Sequence, residues 1–245
     1  MVEIIGALAA GFFGGLIGTI SGGGGLITIP YLLFAGLPID VSIATSRMSA
    51  FGMGAGSLKN FHASSKIVWS MVPYLIVLAV IGGIVGAFLV ISLDKDLLEK
   101  IAGAVLLLLL PTLFVKKDFG LVELKKHKRS KLLGAFIYLA AMMYGAFFGP
   151  GAGIFLIYSL VYFFGLTFIR ANATNLVAWM ALTTVAFVLF SINGLVDFKF
   201  GISMLLGVTL GGYFGSNMAI RRGDGFVKAI LTIVVLATSA KLLVF

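Results

Sequence analysis

The chain has 245 residues, of which 60% are hydrophobic and 11% are charged, and its net charge is +9. A soluble domain carries about 25% charged residues, so this composition excludes a soluble globular protein and predicts a protein of the lipid bilayer. The positive charge is concentrated at residues 116–131, where seven basic residues accompany two acidic ones, and it therefore does not indicate a nucleic-acid partner.

Eight apolar segments are candidates for membrane helices, since a helix needs about 20 residues to cross a bilayer core. The polybasic stretch 116–131 follows the fourth segment and predicts a cytoplasmic loop. It separates an N-terminal membrane repeat (1–115) from a C-terminal one (132–245). The expected fold class is an all-α polytopic membrane protein with four segments in each half. In chain order the segments cover residues 4–34, 42–62, 68–92, 97–115, 132–164, 171–192, 196–220 and 226–244.

The first segment of each half is too long for one upright helix and is interrupted by glycine. Consecutive glycines cost a helix about 1 kcal/mol each, and a proline removes a backbone donor. We therefore predict that each of these segments forms two short helices joined by an unwound turn. The interruptions are Ser21-Gly22-Gly23-Gly24-Gly25 and Gly149-Pro150-Gly151-Ala152-Gly153.

The two halves form an internal repeat, because one constant offset in numbering, without a gap, relates several of their motifs. Ala44-Thr45-Ser46 pairs with Ala173-Thr174-Asn175, and the glycines of 82–86 pair with those of 211–215. Duplication with matched helix breaks is typical of secondary transporters whose substrate site lies between the repeats. If each broken segment crosses once, the halves are parallel; if it is a hairpin, they are inverted. The distribution of basic residues favours inversion.

The glycine breaks are candidate substrate-binding elements. An unwound turn at membrane depth exposes backbone N–H groups at the positive end of the next helix, an arrangement that suits a small anion. The alternative is close helix packing through small residues, which needs no ligand. The candidate residues in the breaks are Ser21, Gly22, Gly23, Gly24, Gly25, Gly151, Ala152 and Gly153.

Polar residues near the start of the next segments complete the candidate site. Polar side chains in membrane helices normally face the protein interior or a wet cavity. Arg47 is the stronger candidate for pairing with an anion, because Arg170 can extend to the membrane interface. For Thr45, Ser46, Asn172 and Thr174 the alternative is helix capping. The full set is Thr45, Ser46, Arg47, Asn172, Thr174 and Asn175, and Trp179 is expected to pack or to line a cavity.

The sequence offers little for catalysis or for a cofactor. There is no cysteine, there are two histidines, and neither a nucleophile elbow nor a phosphate-binding Gly-Lys-Ser/Thr motif is present. We therefore expect no catalytic residue, metal or cofactor. A coupling proton or other ion, and the oligomeric state, stay open.

Several of these motifs resemble the TauE/SafE type of sulfite exporter. The resemblance rests on the glycine-rich run from Gly15 to Pro30, on Phe34-x-Gly36, on Ala44-Thr45-Ser46 and on their second copies. It implies a permease for small sulfur-containing or organic anions, such as sulfite, thiosulfate or sulfoacetate, that works without ATP hydrolysis. The second copy departs from the first, since Pro150 replaces Ser21 and Asn175 replaces Ser46.

The leading hypothesis is a cell-membrane secondary transporter that alternates access around an anion site between the repeats. Its partners would be a small anionic substrate and the lipid bilayer. A passive anion channel would use the same residues. An intramembrane enzyme is a third alternative, which the lack of catalytic groups disfavours.

Overall fold

The computed structural model describes residues 2–94, 97 and 130–244, with side chains as far as Ile233. Within these residues the regular elements are α-helices. The predicted segment 97–115 and the loop 116–131 lie outside the described residues, except for Leu97, Ser130 and Lys131. The helices are α1 (Val2–Ser21), α2 (Gly25–Phe34), α3 (Ile39–Ala63), α4 (Val72–Ser92), α5 (Lys131–Phe147), α6 (Ala152–Phe164), α7 (Phe168–Ile192) and α8 (Phe198–Val244). The range of α8 consists of two helices joined by a kink at Gly223, whose backbone is not helical (φ 75°, ψ −172°).

Several of these helices are suited to a bilayer. Four stretches of the described chain are long and apolar enough to cross it: α1, α4, α7 and residues Phe198–Ile233 of α8. The helices α2, α5 and α6 are apolar but shorter, and α3 has 25 residues but includes Asp40, Arg47 and Lys59. Large apolar side chains such as Phe88 are exposed on the outside. The chain is a polytopic membrane protein.

The helix α2 folds back along α1. The hydroxyl of Tyr31, near the end of α2, donates to the carbonyl of Glu3 at the start of α1 over 2.5 Å. Further along, a Cβ added to Gly18 would lie 3.1 Å from the Cα of Gly24. Contacts that pair the end of one helix with the start of the other require an antiparallel arrangement. The first broken segment is therefore a helical hairpin with its turn at the glycines.

The second broken segment has the same form. Ser159 of α6 donates its hydroxyl to the carbonyl of Gly134, near the start of α5, over 3.2 Å. At the other end, a Cβ on Gly145 would lie 3.3 Å from the Cβ of Ala152. The turn between α5 and α6 lies at Phe148–Gly151, where the proline and glycines predict it.

The helices α3 and α7 run antiparallel to each other. Thr45, close to the start of α3, accepts a hydrogen bond of 3.0 Å from the N–H of Asp197, which follows α7. Thr174, close to the start of α7, accepts one of 3.0 Å from the N–H of Val68, which follows α3. Capping of their own helices is wrong for these threonines, because α3 begins at Ile39 and α7 begins at Phe168.

The first helix of each half packs against one helix of the other half: α1 against the part of α8 before Gly223, and α5 against α4. Along α1 and α8, a Cβ on Gly15 would lie 2.7 Å from the Cα of Val208. Along α4 and α5, a Cβ on Gly82 would lie 2.6 Å from the Cβ of Met142. Glycine on these faces lets the helix backbones approach closely, as is common in membranes. The same contact recurs at Gly11, Gly86, Gly207, Gly211 and Gly215.

Candidate functional site

The two glycine breaks touch each other. A Cβ added to Gly22 would lie 2.7 Å from the Cα of Gly153, which is closer than packed carbon atoms approach. The turns also need unusual backbone geometry, with a φ of 75° at Gly22 and 77° at Gly151. Glycine adopts such angles without a steric penalty. The sequence therefore specifies both the turns and the contact between them.

A cavity of about 70 Å³ lies beside this crossing. A buried water needs about 10–15 Å³, so the cavity has room for a molecule of only a few non-hydrogen atoms. Its walls come from α1, α2, α3, α7, α8 and both breaks. Eight predicted site residues line it: Gly22, Gly24, Gly25, Ser46, Arg47, Gly153, Asn172 and Asn175.

The other six predicted residues do not line the cavity: Ser21, Gly23, Thr45, Gly151, Ala152 and Thr174. Ser21 is fully buried and donates its hydroxyl to the carbonyl of Ile17, one helical turn earlier, over 3.0 Å. Thr45 and Thr174 bind backbone N–H groups between helices, as described above. In the structure these three side chains hold the framework of the site.

Arg47 is the central polar side chain of the cavity wall. It is only 2% exposed, and its terminal Nη2 donates to the carbonyl of Phe148 in the second break over 3.1 Å. Its guanidinium carbon lies 5.7 Å from the ring centroid of Trp179. Gly149 leaves space for the guanidinium, because a Cβ there would collide with Nη2. Arg47 therefore connects α3 to the break of the opposite half.

The charge of Arg47 is not balanced by the part of the chain that the structure describes. Its Nε is buried without a hydrogen-bond partner, and no ion pair of Arg47 occurs among the described residues. An isolated charge within a membrane protein costs several kcal/mol, so such residues normally pair or face a polar cavity. An anion in the cavity would supply the missing countercharge.

Each break contains backbone N–H groups that have no backbone partner within the described chain. Gly24 and Gly153 are repeat equivalents, and both line the cavity. Neither N–H group has a partner within the described chain, although the neighbouring N–H groups of Ala152 and Ile154 do. Backbone N–H groups at the start of a helix are common anion ligands.

Two asparagines of α7 complete one wall. The carboxamide oxygen of Asn175 accepts a hydrogen bond of 2.8 Å from the hydroxyl of Tyr138, which leaves its NH₂ group as a donor. The NH₂ group of Asn172 donates to the carbonyls of Thr19 (2.5 Å) and Ile20 (3.1 Å) at the end of α1. Asn175 is therefore placed to bind a ligand, while Asn172 mainly secures the first break.

The serines of α3 present acceptors and not donors. The hydroxyl of Ser46 donates to the carbonyl of Ile43 over 2.7 Å, and that of Ser49 donates to the carbonyl of Ser46 over 2.8 Å. Their oxygen lone pairs remain available on the cavity side. The sequence predicts that Ser46 donates to an anion, and in this arrangement its proton is already used.

Several wall residues are absent from the ligands that the sequence predicts. Those on α3 and α7 follow helical spacing from predicted ones, so the pattern i, i+3, i+4, i+7 could identify them. Trp179 lines the cavity, which is one of the two roles expected for it. The additional residues are Ser49, Ala50 and Met53 on α3, Leu176 and Trp179 on α7, and Gly14, Gly18, Thr28, Gly149 and Val208 elsewhere.

Comparison with known proteins identifies the family. The model of the sulfite exporter TauE/SafE family matches residues 7–242. The chain belongs to the TauE/SafE family. The match includes both glycine breaks and every residue that lines the cavity.

Relatives within the TauE/SafE group are named as transporters. A probable membrane transporter protein, ORF9, of Sinorhizobium sp is 30% identical over 240 residues, covering 96% of this chain and 90% of the relative. A probable membrane transporter protein of Haemophilus influenzae is 28% identical over 95% of this chain and 91% of its own. The probable membrane transporter protein YfcA of Escherichia coli K12 is 28% identical over 97% of this chain and 87% of the relative. No solved structure matches the chain.

Proposed function

We propose that this chain is a secondary transporter that carries a small anion across the cell membrane through the cavity between its two hairpins. The observation that carries the proposal is the buried, unbalanced guanidinium of Arg47 in a cavity that is also lined by Gly24 and Gly153, whose N–H groups have no backbone partner within the described chain. Charge and hydrogen-bond donors converge there with no acid to satisfy them among the described cavity residues. A small oxyanion would satisfy them all.

The substrate proposed is a sulfur-containing anion such as sulfite, thiosulfate or an organosulfonate. The volume of about 70 Å³ suits an anion of this size. The family model is named for sulfite export, which supports the same class of substrate for this chain. Larger organosulfonates would require the cavity to widen.

We infer that the two halves form an inverted repeat. Helices α3 and α7 begin and end at equivalent repeat positions, and their contacts through Thr45 and Thr174 make them antiparallel. Two copies of one unit that run in opposite directions through a membrane are inverted. Left-handed backbone residues support the repeat, since positive φ occurs at the pairs Gly22 and Gly151, Gly36 and Gly165, and Ser65 and Gly194.

The arrangement also suggests an orientation in the membrane. Helices α3 and α7 lie antiparallel, so the end of α3 and the start of α7 are on the same face of the membrane. Asp224 lies on that face too, because its Oδ1 accepts a hydrogen bond of 2.7 Å from the N–H of Ile169 at the start of α7. Basic residues mark cytoplasmic loops, so we assign this face to the cytoplasm. Among the described residues it carries Lys59, Lys66, Lys131, Arg170, Arg221, Arg222 and Lys228 with Asp224, and the opposite face carries Glu3, Asp40, Asp94 and Asp197 with Lys199.

We propose that transport proceeds by alternating access. The hairpins enter from opposite faces and meet at Gly22 and Gly153, and the cavity lies beside this contact. The bond from Arg47 to Phe148 joins one half to the other at this point. Movement of one half against the other would open the cavity to one face at a time, as in other transporters built from inverted repeats.

The direct test is counterflow in proteoliposomes. Purified protein would be reconstituted into vesicles loaded with unlabelled sulfite, and the uptake of labelled sulfite would be followed. A carrier accumulates label transiently above equilibrium because the internal anion drives exchange. A passive channel brings the label only to equilibrium, and a protein that does not handle anions gives the rate of empty liposomes.

A further inference from the structure

We propose that the cavity selects a singly charged anion and rejects a dianion. This inference rests on the proposed anion-carrier function and adds the charge of the substrate to it: it retains hydrogen sulfite and organosulfonate monoanions and excludes thiosulfate, which is a dianion. The cavity wall holds one guanidinium, that of Arg47, and no other ionisable side chain among the described residues that line it. One fixed positive charge balances one negative charge.

The repeat shows how the single charge arises. The repeat equivalent of Arg47 is Leu176, and both residues line the cavity. A symmetric site would place two guanidinium groups around the ligand. The structure instead places a guanidinium on the α3 wall and an apolar side chain on the α7 wall, so a second negative charge would have no countercharge on that side.

Helix dipoles do not provide the second positive charge. Each break contains the end of one helix as well as the start of the next: α1 and α2 at the first, α5 and α6 at the second. The partial negative charge of the former opposes the partial positive charge of the latter. The N–H groups of Gly24 and Gly153 therefore act as local donors, while the net charge of the site remains that of Arg47.

The α3 wall would also disfavour a second negative charge. The hydroxyl protons of Ser46 and Ser49 are donated to backbone carbonyls, so their oxygens offer lone pairs to the ligand. Lone pairs repel a fully ionised oxyanion but accept the proton of one that keeps an O–H group. A hydrogen oxyanion would thus use both walls, with its charge toward Arg47 and its O–H toward the serines.

Binding measurements on the purified protein test this inference. Methanesulfonate is a monoanion and sulfate a dianion at every pH from mildly acidic to mildly basic, whereas sulfite passes from the monoanion to the dianion near neutrality. We expect methanesulfonate to bind with a constant affinity and sulfate to bind at least tenfold more weakly. For sulfite, the apparent Kd should rise by about tenfold per pH unit once the dianion predominates.

The outcomes separate this inference from the proposed function. Sulfate binding as tight as methanesulfonate binding, or a sulfite affinity that increases with pH, overturns the charge selection and leaves an anion carrier. Absence of binding by all three anions, with no sulfite counterflow, overturns the proposed function and this inference with it.

A variant adds an independent test. Leu176→Arg places a second guanidinium at the repeat position, and we expect it to increase the affinity for sulfate relative to methanesulfonate by at least tenfold. Leu176→Gln, which is polar but uncharged, is the matched control and should leave the ratio unchanged. If the folded Leu176→Arg protein has the same ratio of sulfate to methanesulfonate affinity as the natural protein, the inference is contradicted. If this variant does not fold, the binding of the three anions to the natural protein decides the question.

Discussion

Thr45 and Thr174 occupy equivalent positions of the repeat, and each accepts a backbone hydrogen bond of 3.0 Å from the segment that follows the other's helix. The donors, Asp197 and Val68, are themselves repeat equivalents. The proposed inverted repeat accounts for this exchange of partners, because its two halves would be related by a two-fold axis, as in an isologous dimer. The exchange fixes the direction of α3 relative to α7 and so the arrangement of the cavity walls between them.

Removing either threonine hydroxyl should destabilise the protein by a similar amount. Thr45→Val and Thr174→Val each leave one N–H without its partner, at a cost of about 1–3 kcal/mol. Thermal unfolding in detergent measures the effect, and Thr184→Val, an exposed position on α7, is the control expected to change little. A large loss in one variant and none in the other would show that the two contacts are not equivalent.

The contact between the breaks should not tolerate a side chain. Gly153→Ala places a methyl group against the backbone of Gly22, and overpacking of this kind costs about 1–3 kcal/mol. We expect a lower melting temperature and loss of sulfite counterflow. The matched control is Gly225→Ala in α8, where a Cβ meets nothing within 4 Å; it should fold and transport normally.

Arg47 should be required for anion binding. Arg47→Gln removes the cavity's guanidinium, and loss of one partner from a buried charge pair typically costs more than about tenfold in affinity. Arg47→Lys keeps the positive charge but loses the planar guanidinium group, so it should retain part of the affinity. Titration calorimetry with methanesulfonate measures both, and Arg221→Gln at an exposed position should bind normally. Unchanged binding by folded Arg47→Gln would remove the basis of the proposed site.

Tyr138 should act on the ligand through Asn175. Tyr138→Phe removes the hydroxyl that holds the Asn175 oxygen, so the carboxamide can rotate and present its acceptor to the cavity. We expect the methanesulfonate Kd to rise severalfold, with a loss of about 1 kcal/mol in stability. Tyr158→Phe on α6 is the comparison, since it removes a tyrosine hydroxyl and leaves the bond between Tyr138 and Asn175 in place. An unaltered Kd with a lower melting temperature would make Tyr138 a purely structural residue.

Topology can be measured without removing native thiols, because the chain has no cysteine. Ala63→Cys and Ile192→Cys alter the last residues of α3 and α7, which are exposed and equivalent in the repeat. In an inverted repeat they lie on opposite faces. A membrane-impermeant maleimide should label Ile192→Cys in intact cells and Ala63→Cys only after permeabilisation. Labelling of both from one side would establish a parallel repeat.

Sequence reasoning is most informative where a single residue type has one physical use. Glycine and proline runs place both helix breaks, because few other sequences interrupt an apolar helix so abruptly. The constant offset between the halves relates the two breaks to each other from the sequence alone. Arg47 stands out because a charge within an apolar segment needs a polar environment.

Side-chain partners are less accessible to the same reasoning. The sequence assigns Thr45 and Thr174 either to the ligand or to their own helices, yet their partners lie at separations of 152 and 106 residues. The orientation of Asn175 depends on Tyr138, a contact between separate helices. Such contacts arise from the packing of the halves, which a local pattern does not describe.

The packing of α1 on α8 and of α5 on α4 also has a consequence for biosynthesis. The glycine face of α1 is completed by the part of α8 before Gly223, so it stays uncovered in the membrane until the helices between them have been made. Neither half can then mature by itself. We therefore expect the two halves, expressed as separate polypeptides, to be degraded individually and to survive only when they are produced together.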